Sequence, residues 1–214
     1  PDYGIITNVG KAHLLGFGSF EGVQRAKGQL YDYVNENGKA VLVNEDDPVL
    51  RSMCAAREGL SIVPYGIETD GCTVMDATPE NPYLRVRLHD GKLVETKLVG
   101  AYNAANVLAA LCIGRFFGVS EDDAVVRIAA YTPSNSRSQM VKTERNILIV
   151  DTYNANPSSM RAALVNFIGM QACRKAVMIG DMGELGASSA EEHDGILKLL
   201  TDSGIDKIFL VGDE

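Results

Sequence analysis

Apolar and polar positions alternate along the chain with two different periods. The first run, Gly4-Ile5-Ile6-Thr7-Asn8-Val9, is short, apolar and reads as a buried strand. A glycine-rich loop, Gly10 to Ser19, follows it. Phe20, Val23, Ala26, Leu30 and Val34 then recur at helical spacing, and Asn37-Gly38 stops that helix. Ala40-Val41-Leu42-Val43 predicts a second buried strand, Asp46-Asp47-Pro48 opens a short helix to about Arg57, and Ser61 to Gly66 predicts a third strand. Strict alternation appears only in residues 72–99. Tyr83 to Leu88 and Leu93 to Val99 each alternate around His89-Asp90-Gly91-Lys92, which predicts a hairpin. An Ala/Leu-rich helix is expected from about Tyr102 to Phe117, and Ser120-Glu121-Asp122-Asp123 starts another, to about Ala130.

Thr132-Pro133-Ser134-Asn135-Ser136 breaks the pattern and is read as a domain boundary. Beyond it a strand is expected near residues 138–143, a turn at Glu144-Arg145-Asn146 and an apolar strand over Ile147–Val150. A helix from Pro157 to about Met170, a strand over Ala176–Gly180, a helix over Ala190–Ser203 and a strand over Lys207–Val211 complete the series. Strand and helix alternate there, which implies a parallel sheet with helical crossovers. The expected fold class is α/β.

Composition narrows the class of protein. A chain of 214 residues with 46% hydrophobic and 22% charged residues is a globular protein with a core of its own. No apolar run is long enough to span a membrane, and no basic, apolar leader opens the chain. The formal net charge of −8, without clustered Lys or Arg, argues against nucleic-acid binding. Cys54, Cys72, Cys112 and Cys173 form no CxxC pair and read as reduced thiols. The chain opens at Pro1 rather than Met and closes at the end of a strand, so a piece of a longer protein is expected.

Candidate chemistry lies in the loops that follow strands, where parallel α/β folds gather ligands. No phosphate-binding glycine loop is present: Tyr33 and Ala40 occupy positions where a Walker A loop needs Gly and a hydroxyl, and the Gly16–Gly22 spacing does not fit a dinucleotide fingerprint. His13 follows the first strand as a candidate metal ligand, and Lys27 on the next helix can face the same crevice; a surface His and a solvated Lys remain the alternative. Asn103 and Asn106 share a helix face, either as amides for a purine edge or as a helix cap plus an ordinary polar position. Arg137 follows the boundary, Asp151 ends an apolar strand, and Thr152-Tyr153-Asn154-Ala155-Asn156-Pro157 leads into a helix. That turn is a ligand platform or a plain connecting loop. Gly180-Asp181-Met182-Gly183-Glu184-Leu185-Gly186 is a similar loop.

Five segments, in order, resemble the Mur ligase family: Thr7 to Leu14, Ala26-Lys27-Gly28, Gly100 to Asn106, Asp151 to Met160 and Gly180 to Gly186. The resemblance spans essentially the whole chain. It implies that residues 1–132 are the later part of a P-loop-type central ATPase domain, without its P-loop. It makes 133–214 the first part of a Rossmann-like C-terminal ligase domain. A monomeric cytoplasmic enzyme of peptidoglycan precursor synthesis is implied, using ATP and Mg²⁺. Tyr153-Asn154-Ala155-Asn156 points to the member that joins D-alanyl-D-alanine to a UDP-N-acetylmuramoyl-tripeptide through an acyl phosphate. A sister Mur-type or folylpolyglutamate-type ligase, or a non-catalytic nucleotide-binding module, are the alternatives.

The resemblance also assigns roles. His13 matches a Mg²⁺ ligand, and Lys27 the lysine that in sister enzymes becomes a carbamate, an anionic oxygen ligand of the kind Mg²⁺ prefers. Asn103 and Asn106 match adenine-side asparagines. Arg137 and Asp151 match residues that close on ATP, with Asn154 and Asn156 lining the same cleft. Lys27, His13 and Arg137 are the implied catalytic residues. Two departures stand out: Tyr102 replaces the family's usual His, and Tyr153 stands where sister enzymes often carry Lys, so no phosphate contact is implied for Tyr153. Alone, the 214 residues are expected to have no ligase activity.

Overall fold

Strands form where buried apolar runs meet a register partner, and the crossovers are helical where the sequence has a helix start. A computed structural model describes residues 1–213. The chain divides into two units. Unit 1 comprises Pro1–Val9, Gln24–Asp76 and Tyr83–Thr132; unit 2 comprises Gly10–Val23, Ala77–Pro82 and the chain from Pro133 onward.

In unit 1, β1 (Tyr3–Ile5), β2 (Ala40–Asn44) and β3 (Ile62–Tyr65) form a parallel sheet in that order. All five residues of β2 are buried, as the central strand of a covered parallel sheet must be. α2 (Phe20–Asn37) lies between β1 and β2 in the chain, and α3 (Pro48–Ala55) between β2 and β3. α3 starts where it does because Asp47 accepts backbone hydrogen bonds from Val49 (2.8 Å) and Leu50 (3.2 Å), with Pro48 as its first residue. β1 is shorter than the apolar run predicts. Its ladder with β2 ends at Ile5↔Leu42, and farther along the Asn8 carbonyl accepts from Lys27 instead.

The alternating segments form a second, antiparallel sheet of β4 (Thr73–Met75), β5 (Tyr83–Arg87) and β6 (Leu93–Val99). The turn works as its Asp-Gly pair predicts: Gly91 takes φ 89° and Asp90 accepts from the Lys92 amide at 2.9 Å. β4 was not legible in the pattern; three residues, none fully buried, carry no usable period. A 3-10 turn at Ala101–Asn103 leads into α4 (Ala104–Phe116), and Ser120 caps α5 (Glu121–Ala130) by accepting from the Asp123 amide. Leu42 and Tyr65 of the parallel sheet, Val86 and Val94 of the antiparallel sheet and Leu108 of α4 share one buried cluster.

Unit 2 contains α1 (Leu14–Phe17), a single turn inside the expected glycine-rich loop, closed by Gly18 at φ 76°. β7 (Gln139–Lys142) and β8 (Ile147–Val150) form an antiparallel hairpin. α6 (Pro157–Gly169), β9 (Ala176–Gly180), α7 (Ser189–Thr201) and β10 (Lys207–Val211) follow, with β9 and β10 paired in parallel. The expected single parallel sheet is therefore only partly present among the described residues: β8 pairs with β7. The turn between them is closed by Thr143, which both donates to and accepts from the Asn146 backbone, so the local partner wins. Ile147 is 60% and Leu148 45% exposed, so the apolar strand is not a buried one.

Candidate functional site

The candidate residues divide between the units: Lys27, Asn103 and Asn106 in unit 1, and His13, Arg137, Asp151, Asn154 and Asn156 in unit 2.

In unit 1, Lys27 projects from α2 toward the chain that leaves β1. Its ammonium donates to the Asn8 carbonyl at 2.8 Å. An open groove of about 560 Å³ runs beside it, lined by Ile6, Thr7, Asn8, Ala26, Lys27 and Gln29 among others. Although the side chain reaches solvent, desolvation by surrounding protein draws its pKa below the ordinary lysine value. Asn103 is buried, and its amide does not cap α4. It donates to the Val99 carbonyl at 2.9 Å and accepts from Asn106 Nδ2 at 3.3 Å, so the two asparagines do meet on one face. Gly100, at φ 99°, lets the chain turn tightly under the Tyr102 ring, which would collide with any Cβ there.

In unit 2 the segment after Gly10 is pinned by three side chains. The Lys11 amide donates to Ser158 Oγ (3.2 Å), and the Lys11 ammonium pairs with Glu192 at 2.5 Å. His13 Nδ1 pairs with the Glu184 carboxylate, and the Leu15 amide donates to the Glu184 carbonyl at 2.9 Å. His13 and Glu184 both hold left-handed backbone, φ 57° and 63°. Such conformations cost non-glycine residues free energy and persist only where neighbours enforce them. The Glu184 contact was not read from the sequence; the signal was a carboxylate in a glycine-rich strand-end loop. The sequence also gave no hint of His193. Its Nε2 accepts from the Met182 amide (3.0 Å) while Nδ1 faces the Ser189 carbonyl (2.8 Å), which anchors that loop to α7.

Arg137 stands between Ser136 (φ 56°) and Ser138 (φ 48°), both left-handed. Ser138 is buried, and the Ser136 carbonyl accepts from the Thr152 amide at 2.8 Å. The Arg137 guanidinium carbon lies 3.8 Å from the centroid of the Tyr153 ring. Asp151 follows β8 and is exposed. Asn154 accepts from the next amide, Ala155 N, at 3.0 Å. Asn156 caps α6, its Oδ1 accepting from Ser159 N at 3.0 Å, with Pro157 as the first helical residue.

The expected Mg²⁺ can be tested against these donors. Among the described residues no three His, Cys, Asp or Glu side chains gather as a metal site. Of the bonded His13–Glu184 pair, the carboxylate is the donor a hard Mg²⁺ prefers, and the imidazole is a metal ligand only through Nε2. A lysine ammonium is no ligand, so Lys27 fits only as its carbamate.

The Mur ligase middle-domain pattern matches residues 1–114, and the Mur ligase glutamate ligase domain matches residues 136–214. The chain belongs to the Mur ligase family. Within it, the UDP-N-acetylmuramoyl-tripeptide–D-alanyl-D-alanine ligase of Escherichia coli is 30% identical over 100% of this chain and 48% of that protein. The enzyme of that name from Mycobacterium tuberculosis is 33% identical over 99% of this chain and 44% of its own length. A crystal structure of MurF from Acinetobacter baumannii matches with TM-score 0.83 at 29% identity, covering 100% of this chain and 47% of that one. The chain spans about half the length of the curated relatives it matches. Among the described residues no helix is long and apolar enough to cross a membrane.

Proposed function

We propose that the protein works as an ATP-dependent amide ligase that joins D-alanyl-D-alanine to a UDP-N-acetylmuramoyl-tripeptide, in the cytoplasm and as a monomer, during peptidoglycan precursor synthesis. One observation carries this reading: relatives bearing that activity in their names align with the chain over 99–100% of its length. Residues 1–132 then serve as the later part of the ATPase domain and 133–214 as the first part of the ligase domain.

A carboxylate is a poor electrophile, so the reaction must activate it. The peptide carboxylate oxygen attacks the γ-phosphorus, and ADP leaves with the electron pair of the broken P–O bond. The D-alanyl-D-alanine amine then attacks the acyl carbon, loses a proton, and inorganic phosphate departs. His13, and separately Lys27 as a carbamate, would each be a ligand for a Mg²⁺, which when bound would screen the charge between the two anions. Arg137 supplies planar N–H donors to phosphate oxygen; the exposed Asn106 would present its amide to the adenine edge, with the buried Asn103 holding it there. Asp151, Asn154 and Asn156 would add polar contacts to the nucleotide.

The test is phosphate release by the protein expressed from its complete reading frame, with ATP and Mg²⁺. Release that requires both the UDP-linked tripeptide and D-alanyl-D-alanine is expected. Release with a different amino acceptor moves the protein to a sister ligase, and none at all overturns the reading.

A further inference from the structure

Arg137 is held on two sides. Its backbone is fixed between two left-handed serines, one of them buried, and by the Thr152–Ser136 hydrogen bond. Its side chain lies on the Tyr153 ring at 3.8 Å, although Tyr153 is 64% exposed and has no core to fill. Left-handed backbone at two serines flanking one arginine is uncommon and is sustained only by surrounding contacts. A free arginine at an exposed loop would spread over many rotamers. Stacking uses the face of the guanidinium and leaves its five N–H donors, which lie in its plane, available to an anion.

We propose that Tyr153 is a positioning residue: its ring holds the Arg137 guanidinium in place to grip an anionic oxygen group of phosphate type. The aromatic face does the work and the hydroxyl does not. Lysine at this position would bring its own charge; tyrosine instead orients the charge of Arg137. The identification of the anion as the ATP phosphates rests on the proposed function, whereas the stack does not.

The experiment uses the complete protein with Tyr153→Phe and Tyr153→Leu, and two readouts. The first is NMR of the Arg137 side chain, without and with MgATP. Wild type and Tyr153→Phe are expected to show ring-current-shifted δ-methylene signals and a saturable response to MgATP. In Tyr153→Leu the ring-current shift is lost and the response weakens about fivefold, the scale of one exposed cation–π contact. The second readout is ligase kinetics: about a fivefold rise in the KM for ATP in the Leu variant, with kcat changed less and the Phe variant close to wild type. A wild-type Arg137 without ring-current shift overturns the proposal. So does a Leu variant that loses the shift yet binds MgATP as wild type does. Absence of ligation in wild type, with the Arg137 response still dependent on the ring, sinks the proposed function and leaves the positioning role standing. Ligation that is indifferent to Tyr153→Leu does the reverse.

Discussion

The two units are stabilised by different means. Of the side chains below 2% exposure, all but Ile196 and Leu200 lie in unit 1, where two sheets and α4 share one cluster. Unit 2 keeps a smaller buried set, with Leu164, Ile196 and Leu200 in it, leaves Met178, Leu210 and Val211 of its parallel strands mostly exposed, and holds its loops with point contacts. Lys11 to Glu192, His13 to Glu184, Met182 to His193 and Arg137 to Tyr153 are such contacts. Burial makes a stiff frame that does not depend on any one polar group. Point contacts place individual side chains, and each can be undone singly. Five of the eight candidate residues sit in the unit of the second kind.

The comparison can be broken most directly at the core. Leu108→Ala in unit 1 is expected to cost about 2–5 kcal/mol, as a large-to-small change in a packed cluster does, whereas Leu148→Ala, already 45% exposed, should cost less than about 1 kcal/mol. Equal losses in urea melts would remove the distinction.

Alkaline pH sharpens it. Burial pushes the Tyr65 hydroxyl up to about 12 and raises that of Tyr31 as well. The unfolded chain ionises near the ordinary value of 10.0, so the stabilisation is whole below pH 10 and is lost as pH rises toward 12. Each buried tyrosine should cost about 1.4 kcal/mol by pH 11. Tyr31 and Tyr65 both belong to unit 1, so melts at pH 9 and 11 should differ chiefly there. Tyr65→Phe should flatten the pH dependence.

Asn156 separates capping from ligand binding. Asn156→Ala should cost about 1 kcal/mol by removing the α6 cap, and Asn156→Ser should restore most of that. If the Ser variant is stable but weak in ATP use, the amide also serves the nucleotide. The smallest effect is expected at Lys11. Its pair with Glu192 is half exposed, so Lys11→Ala should shift the melt by less than about 1 kcal/mol, and less again in high salt.

Unit 1 was the more legible from the pattern, for a physical reason. Burial leaves periodic apolar residues, and Asp47-Pro48, Asp90-Gly91 and Ser120 announce their caps and turn. The partner of β8 was not legible. Ile147–Val150 is as apolar as a buried strand, but the two-residue turn at Glu144-Arg145 made β7 the nearer edge. In the site, the meeting of Asn103 with Asn106 followed from helical spacing. The links from His13 to Glu184 and Arg137 to Tyr153 did not. They join residues 171 and 16 positions apart through left-handed backbone at His13, Ser136, Ser138 and Glu184, where the type of residue gives no warning.

The central claim is that Lys27, desolvated beside the groove after β1, belongs to the machinery of an ATP-driven ligase. It is tested by phosphate release from the complete protein with MgATP, UDP-N-acetylmuramoyl-tripeptide and D-alanyl-D-alanine, wild type beside Lys27→Ala. Release that needs both acceptor substrates and falls at least a hundredfold in the variant, with an unchanged melting temperature, is the predicted result. Undiminished release by a folded Lys27→Ala protein would contradict it.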